Sequence, residues 1–423
     1  MAKNSEYLTR LESFEDKTLF PRLASEEQQF VRELANSYRL SFQEFRQTVE
    51  YCRDLSMWQQ GSLQQWWQQY HKDHPGYDVQ AKKKLFRQLN SHIKSLKSEA
   101  KNYSVVNPLT PDRQPALKIR TEPSDKKIHG ICPVASEKTV CCNLHTIDAV
   151  QNCMYGCSYC SIQTFYNDSI TFDETLAGKL KDIELEPDRF YHFGTGQASD
   201  SLVWGNRNGN LDALCRFAHE HPNILLEFKT KSDNISYLLE NNIPDNVVCS
   251  WSLNTAAVIA NEEHLTVSLE RRINAARKVA DKGIKVAFHF HPMVYYDAWD
   301  QDYPAIATEL MTRFNPEEVH FISFGSVTLI KPVIKKIRQQ GLPSKILQMD
   351  FVTDPHGKMT YADEIKSTMF KTMYDSFCAW HDTVLIYLCM EKADIWQQAF
   401  GFSYPNNRDL ENRFAQLIGQ QAC

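Results

Sequence analysis

Nothing in this sequence of 423 residues is apolar for long enough to cross a bilayer. Its longest apolar run, Val384 to Met390, is roughly a third of the ~20 residues a spanning helix needs. The opening stretch, Met1 to Arg10, is polar and lacks the apolar core of a secretory signal. There is no surplus of positive charge, the net being −5; a polyanionic partner is not demanded globally, although a local basic patch is compatible with that balance. No internal repeat or low-complexity tract appears. The twelve cysteines are not a disulfide framework, because the chain is long and carries no secretory signal. These absences describe a soluble, cytoplasmic protein with no membrane attachment. Its length suits a large core divided over two domains.

Residues 1–105 read as a helical domain. Ser25-x-x-Gln28 and Ser41-x-x-Glu44 have the form of capping boxes, and Phe30, Val31 and Leu34, then Phe42, Phe45, Val49 and Cys52, recur at helical spacing. Trp58, Trp66 and Trp67 are expected to pack these helices together. A last helix over about 81–101 puts Leu85, Leu89, Ile93 and Leu96 on one face. It carries seven basic residues, Lys82, Lys83, Lys84, Arg87, Lys94, Lys97 and Lys101, against the single acidic Glu99. This basic helix, 82–101, is either a phosphate-binding face for nucleic acid or a solvated surface.

Residues 106–142 read as a connector punctuated by Pro108, Pro111, Pro115, Pro123 and Pro133. From residue 143 the pattern alternates. Strands are expected at Leu144–Val150, Arg189–Gly194, Ile224–Lys229, Val247–Leu253, Ile284–His291 and Val319–Phe324. Helices are expected near 173–182, 210–220, 234–242, 268–282, 303–314 and 332–340. Six β-α units predict an α/β fold with a parallel sheet, a partial, open (β/α)6 barrel spanning 143–400, followed by a C-terminal tail at 401–423. Chemistry in such folds sits at the C-terminal ends of the strands.

The first of those strands ends in Cys153-Met-Tyr-Gly-Cys157-Ser-Tyr-Cys160. Three thiolates on one short loop, with Gly156 free to let it wrap, suit a [4Fe–4S] cluster in which one iron lacks a protein thiolate and can chelate a small molecule. The alternatives are a three-ligand zinc site, though structural zinc sites favour four ligands and C-x2-C pairs, or chance clustering. His289 and His291 alternate on the fifth strand and share a face, with Phe288 and Phe290 on the other; if that face is the lumen, both histidines line the active site. The scattered Cys52, Cys215, Cys249, Cys378, Cys389 and Cys423 read as small buried hydrophobes. Cys132, Cys141 and Cys142 are either buried thiols near the barrel entrance, ligands of an auxiliary cluster or metal, or hydrogen donors.

C-x3-C-x2-C with an aromatic before its last cysteine resembles the radical S-adenosylmethionine superfamily. Residues 143–400 resemble the spore photoproduct lyase family within it. That resemblance is carried by Cys157-Ser-Tyr-Cys160-Ser-Ile-Gln163, Ala198-Ser199-Asp200, Lys229-Thr-Lys231, Trp251-Ser-Leu-Asn254-Thr255, Arg271-Arg-Ile-Asn-Ala-Ala-Arg277, Pro292 and Lys331-Pro332. It implies a [4Fe–4S] cluster on Cys153, Cys157 and Cys160 whose open iron binds S-adenosylmethionine. Reductive cleavage to a 5′-deoxyadenosyl radical follows, fed by an external electron donor of flavodoxin or ferredoxin type. It also implies cofactor contacts from Ser199, Asp200, Lys231, Ser252 and Asn254, and a nucleic acid or nucleotide substrate.

The chain departs from the family at two positions. A cysteine that returns hydrogen to the product radical stands two residues before the Ser-Asp pair in that family, and here the position is Gln197, whose amide cannot do so. A tyrosine follows the third cluster cysteine there, and here Ser161 does. Retained cofactor machinery with altered radical quenching is the expectation, with Tyr159, Gln197, His289 and His291 nearest the chemistry. Two other functions fit the residues: a radical enzyme acting on a protein, peptide or small metabolite, and a non-enzymatic iron–sulfur or zinc-binding scaffold.

Overall fold

The computed structural model describes residues 2–103, 118–132, 138–164, 169–354 and 356–419, without the side chains of residues 2–5 and 163. Cys423, Pro108, Pro111, Pro115 and Pro133 lie outside the described residues. The chain forms two compact units, Met1–Asn102 with Leu329–Phe351, and Tyr103–Thr328 with Val352–Cys423.

The first unit is helical, with helices at Ala2–Glu15, Ser25–Tyr38, Phe42–Trp58, Leu63–Asp73, Val79–Ser98 and Lys331–Gln340. Ser41 caps the third through the expected reciprocal bonds with Glu44. At the second the expected box is displaced by one residue. Ser25 is already helical, Ala24 is the cap, and Glu27 reaches back to the Ala24 N–H at 3.1 Å. Phe30, Val31, Leu34, Phe45, Val49 and Cys52 are buried, as their spacing requires, and so are Leu85, Leu89, Ile93 and Leu96. Trp58 is fully buried, Trp67 packs on Phe30, and Trp66 stacks between Tyr70 and His92. Residues 329–351 are fastened here by long-range polar bonds. Arg338 grips Asp54 with two bonds, at 2.8 and 2.7 Å. Lys345 reaches the Trp58 carbonyl and Gln348 the Leu96 carbonyl, each at 3.0 Å.

The second unit is built on an eight-stranded sheet. Its spatial order is Leu385–Leu388, Val319–Ser326, Lys285–Met293, Val247–Ser252, Ile224–Thr230, Tyr191–Thr195, His145–Ile147 and His129–Ile131. Each neighbouring pair is parallel except the last, which is antiparallel. The six expected strands are all present, in sequence order across the sheet, and the helices between them fall where periodicity put them. Two strands were not foreseen. His129–Ile131 is a three-residue edge strand in the connector, too short to show a period, and Leu385–Leu388 follows a long excursion from the sixth strand. The sheet curls into a half-barrel. A bridge between Val140 and Glu391, with Val140 N–H on the Glu391 carbonyl at 2.9 Å, draws its two edges together.

Alternation along the strands sorts the residues. Phe228, Trp251, Phe288 and Phe290 are fully buried on the face that the crossover helices cover. His192, Glu227, His289 and Ser323 face the concave side. Glu227 can meet His289 across the intervening Val247–Ser252 strand only on a concave face. Phe414, from the helix Asn407–Leu417, packs against His192, Phe321 and Tyr387 and closes the floor of the lumen. A small side sheet holds the cysteine loop. Val150–Gln151 pairs antiparallel with Thr171–Phe172 of the strand Ser169–Asp173, which pairs in turn with Lys118–Glu122.

Candidate active site

The cysteine loop leaves the C-terminal end of the sheet, where the barrel rule places function. Asn152 turns the chain with a positive φ of 74° and ties the loop to the Ser169 carbonyl at 2.6 Å. Gly156 has φ +62, and no atom lies within 4 Å of where a Cβ would stand. The loop is therefore open on that side, and glycine is required there by backbone conformation rather than crowding. Cys160 N–H bonds the Cys157 carbonyl at 3.1 Å. Cys157 is buried and Cys153 and Cys160 are half-buried. The Cys153 sulfur accepts from the backbone N–H groups of Tyr155 and Asp200, while burial, the larger effect, pushes its pKa up to about 12. Among the described residues no three His, Cys, Asp or Glu side chains converge as one metal ion requires. A four-iron cluster asks for thiolates spread one per iron, and one buried and two half-buried cysteines that still feel one another's charge fit it.

Beside this loop lies a buried polar cluster. The Tyr159 hydroxyl donates to Glu263 Oε1. Lys231 Nζ lies 3.0 Å from that hydroxyl and 3.1 Å from Glu263 Oε1. Arg272, fully buried, donates to Glu263 Oε2 at 2.6 Å and to the Ser252 carbonyl at 2.8 Å. Burial alone would raise the Glu263 carboxyl; Arg272 and Lys231 overcome it and hold the pKa down to about 2. Ser158 is bonded to the same helix end through the Glu262 carbonyl and His264. The loop bearing Cys157 and Cys160 is thus set in place by one charged network.

The other sequence-derived candidates divide into three places. The Asp200 carboxylate accepts from the N–H groups of Leu202, Val203 and Lys231 and from Thr230 Oγ1, so its oxygens are spent holding the turn that touches Cys153. The Ser199 hydroxyl and Asp148 Oδ1 have no partner among the described residues; their residues line a small pocket of about 20 Å³, room for one water-sized group. Gln197 is half-buried in the same turn. Asn254 is fully buried and engaged at both ends, with the Pro292 carbonyl at 2.9 Å and the Tyr303 hydroxyl at 2.6 Å. Ser252 meets the charged cluster through its carbonyl.

His289 lies deeper in the lumen. Its Nε2–H donates to Glu227 Oε1 at 2.5 Å and its Nδ1 accepts from Ser323. His192 Nε2–H donates to Glu227 Oε2 at 3.0 Å, with Lys229 Nζ at 3.5 Å. Lys229 and the two histidines hold Glu227 ionised well below the usual carboxylate range against its burial, while burial lowers both histidines. His291 stands nearer the mouth. Burial, then His289 and Lys229, push it down to about 3, so the ring is neutral. A Cβ on Gly325 would lie 2.7 Å from that ring, so only glycine leaves it room. Sequence reading met Lys229 and Arg272 only inside the stretches that carry the resemblance, without a role, and missed Glu227 and Glu263. A charge every second residue in the apolar strand that holds Glu227 and Lys229 was the available signal.

His291 also lines a cavity of about 500 Å³, with Ser326, Thr328, Lys358, Thr360 and Cys389 among its walls. It sits past the ends of the strands Lys285–Met293, Val319–Ser326 and Leu385–Leu388. A larger open depression of about 930 Å³, lined by Lys285 and His320, lies at the strands' opposite ends. The smaller cavity is the one at the end carrying the cysteine loop.

The model of the spore photoproduct lyase family matches residues 139–373. The spore photoproduct lyase of Clostridium acetobutylicum is 26% identical over 214 residues, which are 49% of this chain and 62% of that protein. That of Geobacillus sp. is 25% identical over 244 residues, 54% and 71% of the two chains. The match to the Clostridium relative thus covers less than two thirds of its length. A solved spore photoproduct lyase complexed with dinucleoside spore photoproduct superposes with a TM-score of 0.55 at 21% identity, covering 64% of this chain and 82% of that one. Another, with bound AdoMet and the dinucleoside, gives 0.54 over 64% and 81%. These structures share the fold described above.

Proposed function

The chain belongs to the spore photoproduct lyase family, and from that premise we propose that it is a radical S-adenosylmethionine enzyme with a [4Fe–4S] cluster on Cys153, Cys157 and Cys160. The observation that carries this reading is the loop at the C-terminal end of the half-barrel that brings Cys153, Cys157 and Cys160 within electrostatic reach of one another, two of them half-buried. When bound and reduced by a flavodoxin- or ferredoxin-class donor, cluster and S-adenosylmethionine together supply a 5′-deoxyadenosyl radical. The chain's own residues hold and shield. The Glu263–Arg272–Lys231–Tyr159 network fixes the far half of the loop. The Ser199–Asp200 turn fixes Cys153 through its backbone, and the neutral His291 presents a polar, uncharged ring to the cavity.

The substrate is a nucleic acid or nucleotide. The family supports this, and so does the helical unit, where Lys83, Lys84, Arg87 and Lys94 are exposed on one helix. Radical quenching is altered, since Gln197 offers no hydrogen atom. A second reading, a peptide or small metabolite as substrate, is favoured by the cavity's charge. Lys358, Lys366 and Lys392 face Asp354, Asp363, Glu364 and Glu391 there, so no cationic surplus awaits a phosphate.

The test is anaerobic reconstitution followed by reduction with S-adenosylmethionine. About four irons and release of 5′-deoxyadenosine are expected, both lost when Cys153, Cys157 and Cys160 are all replaced by alanine. Iron without 5′-deoxyadenosine would leave the scaffold reading standing. Salt-independent or absent binding of oligonucleotides would move the substrate to the second reading.

A further inference from the structure

Cys389 follows the strand Leu385–Leu388 directly, and its N–H bonds the Phe324 carbonyl at 2.8 Å. That bond sets it beside Gly325, whose missing side chain makes room for His291. Cys389 and His291 line the same cavity of about 500 Å³. Two more thiols, Cys142 and Cys132, lie close enough to act electrostatically on Cys389 and on Lys229. The cysteine loop and Cys389 both follow C-terminal ends of strands of the same sheet, and Cys389 is outside the Cys153–Cys160 loop.

A carbon radical formed in a cavity is quenched by the weakest accessible bond to hydrogen. Tyr159 is committed to Glu263 and Lys231, and a neutral imidazole or an amide gives up no hydrogen atom readily. A thiol does, provided the sulfur still carries its proton, because a thiolate has no hydrogen to donate. Burial, then the neighbouring Cys142 and Cys132, hold the Cys389 proton on well above the ordinary range, outweighing Lys229.

Resting on the reading of the chain as a radical enzyme, we propose that Cys389 is the residue that returns a hydrogen atom to the substrate radical. The Cys389 S–H bond breaks homolytically and a C–H bond forms on the substrate carbon. The sulfur radical left behind takes one electron from the flavodoxin- or ferredoxin-class donor and one proton from solvent, which restores the thiol. Each turnover therefore places one solvent-derived hydrogen in the product.

The probe is dinucleoside spore photoproduct, given in D2O to the reconstituted full-length protein with S-adenosylmethionine and dithionite. Wild type is expected to give product carrying one deuterium. Cys389→Ala and Cys389→Ser are expected to keep iron content and 5′-deoxyadenosine release while losing at least ten-fold in deuterated product. Cys142→Ala should lose less. Undiminished deuterated product from Cys389→Ala overturns the proposal. Absence of 5′-deoxyadenosine from wild type instead overturns the enzyme reading. A second readout needs no turnover: N-ethylmaleimide should label Cys389 in the native protein, and the dinucleoside should slow that labelling at least three-fold. A Cys389 that stays unlabelled, or that labels equally fast with the dinucleoside present, removes it from the substrate cavity.

Discussion

The two units treat charge in opposite ways. The helical unit keeps Lys83, Lys84, Arg87 and Lys94 in solvent, and the one fully internal carboxylate among its described residues, Asp54, is matched by Arg338 from the returning segment. The barrel unit buries Glu227, Glu262, Glu263, Arg272, Lys366 and Glu391. Taking a charge out of water costs several kcal/mol per ion even after relaxation, so a fold keeps such groups only where their partners are good or their position matters. In the barrel each has partners: besides those already described, Glu262 accepts from the Tyr103 hydroxyl at 2.9 Å and Lys366 pairs with Glu391 at 2.7 Å. In the helical unit most of the charge that the sequence displays stays at the surface; in the barrel it is a positioning device that only the fold reveals.

The sharpest way to break this comparison is to remove one partner from each kind of site. Arg272→Met leaves Glu263 buried with Lys231, Tyr159 and a 3.4 Å bond from the Thr266 hydroxyl, and breaking such a pair costs about 3–5 kcal/mol. Denaturant unfolding followed by near-ultraviolet circular dichroism should show it, together with faster loss of iron from the reconstituted protein. A change under about 1 kcal/mol would mean the network is not holding the loop.

Acid sharpens the same point. Glu263 has its folded pKa held down to about 2 from an ordinary 4.5. A depressed carboxylate contributes stability that is present above the unfolded pKa and lost as pH falls toward the folded one. The loss therefore falls between about pH 4.5 and 2 and amounts to something on the order of 3 kcal/mol. Glu263→Gln should lessen the loss in that window, leaving the part that Glu227 contributes. His192 and His289 are lowered from 6.5, so the unfolded chain takes up their protons first and stability already declines as pH drops below about 6.5. That upper decline should survive in Glu263→Gln. If both windows flatten together, the two networks are one.

Much of the fold was legible because it is periodic. Six strands and the helices between them follow from alternation and 3.6-residue spacing, and helix Leu269–Asp281 falls within the expected 268–282, with Ser268 as its cap. What escaped depends on contacts distant in sequence. The edge strand His129–Ile131 is three residues long and exists through pairing with His145–Ile147. The segment 329–351 belongs with the helices because Arg338 finds Asp54, 284 positions away. The cysteine loop could be read because its three cysteines are neighbours in the chain. Glu263, which anchors it, is 104 residues from Tyr159, and no local pattern announces that bond. Cys389 looked like any scattered core cysteine until the strand before it took its place at the sheet's edge.

The smallest expected effect on folding tests the other half of the comparison. Of the seven basic residues on the last N-terminal helix, Lys82 is paired with Glu44 at 3.0 Å, Lys97 lies over the Trp58 ring, and Lys101 is buried with its pKa lowered to about 8 by that burial. These three are structural, and the face available to a polyanion narrows to Lys83, Lys84, Arg87 and Lys94. Combined Lys84→Ala, Arg87→Ala and Lys94→Ala substitutions remove exposed charges without partners among the described residues, so each should change stability by no more than about 0.5 kcal/mol. Their effect should appear in binding. Each phosphate contact contributes about 0.7–0.9 to the slope of log affinity against log salt, so the triple variant should lower the magnitude of that slope for single- or double-stranded oligonucleotides by roughly 2 to 3. Lys82→Ala, by contrast, should cost stability through Glu44 and leave the slope nearly unchanged. If the triple variant binds with the same salt dependence as the native chain, the helix is a solvated surface and the nucleic-acid reading loses its support outside the barrel.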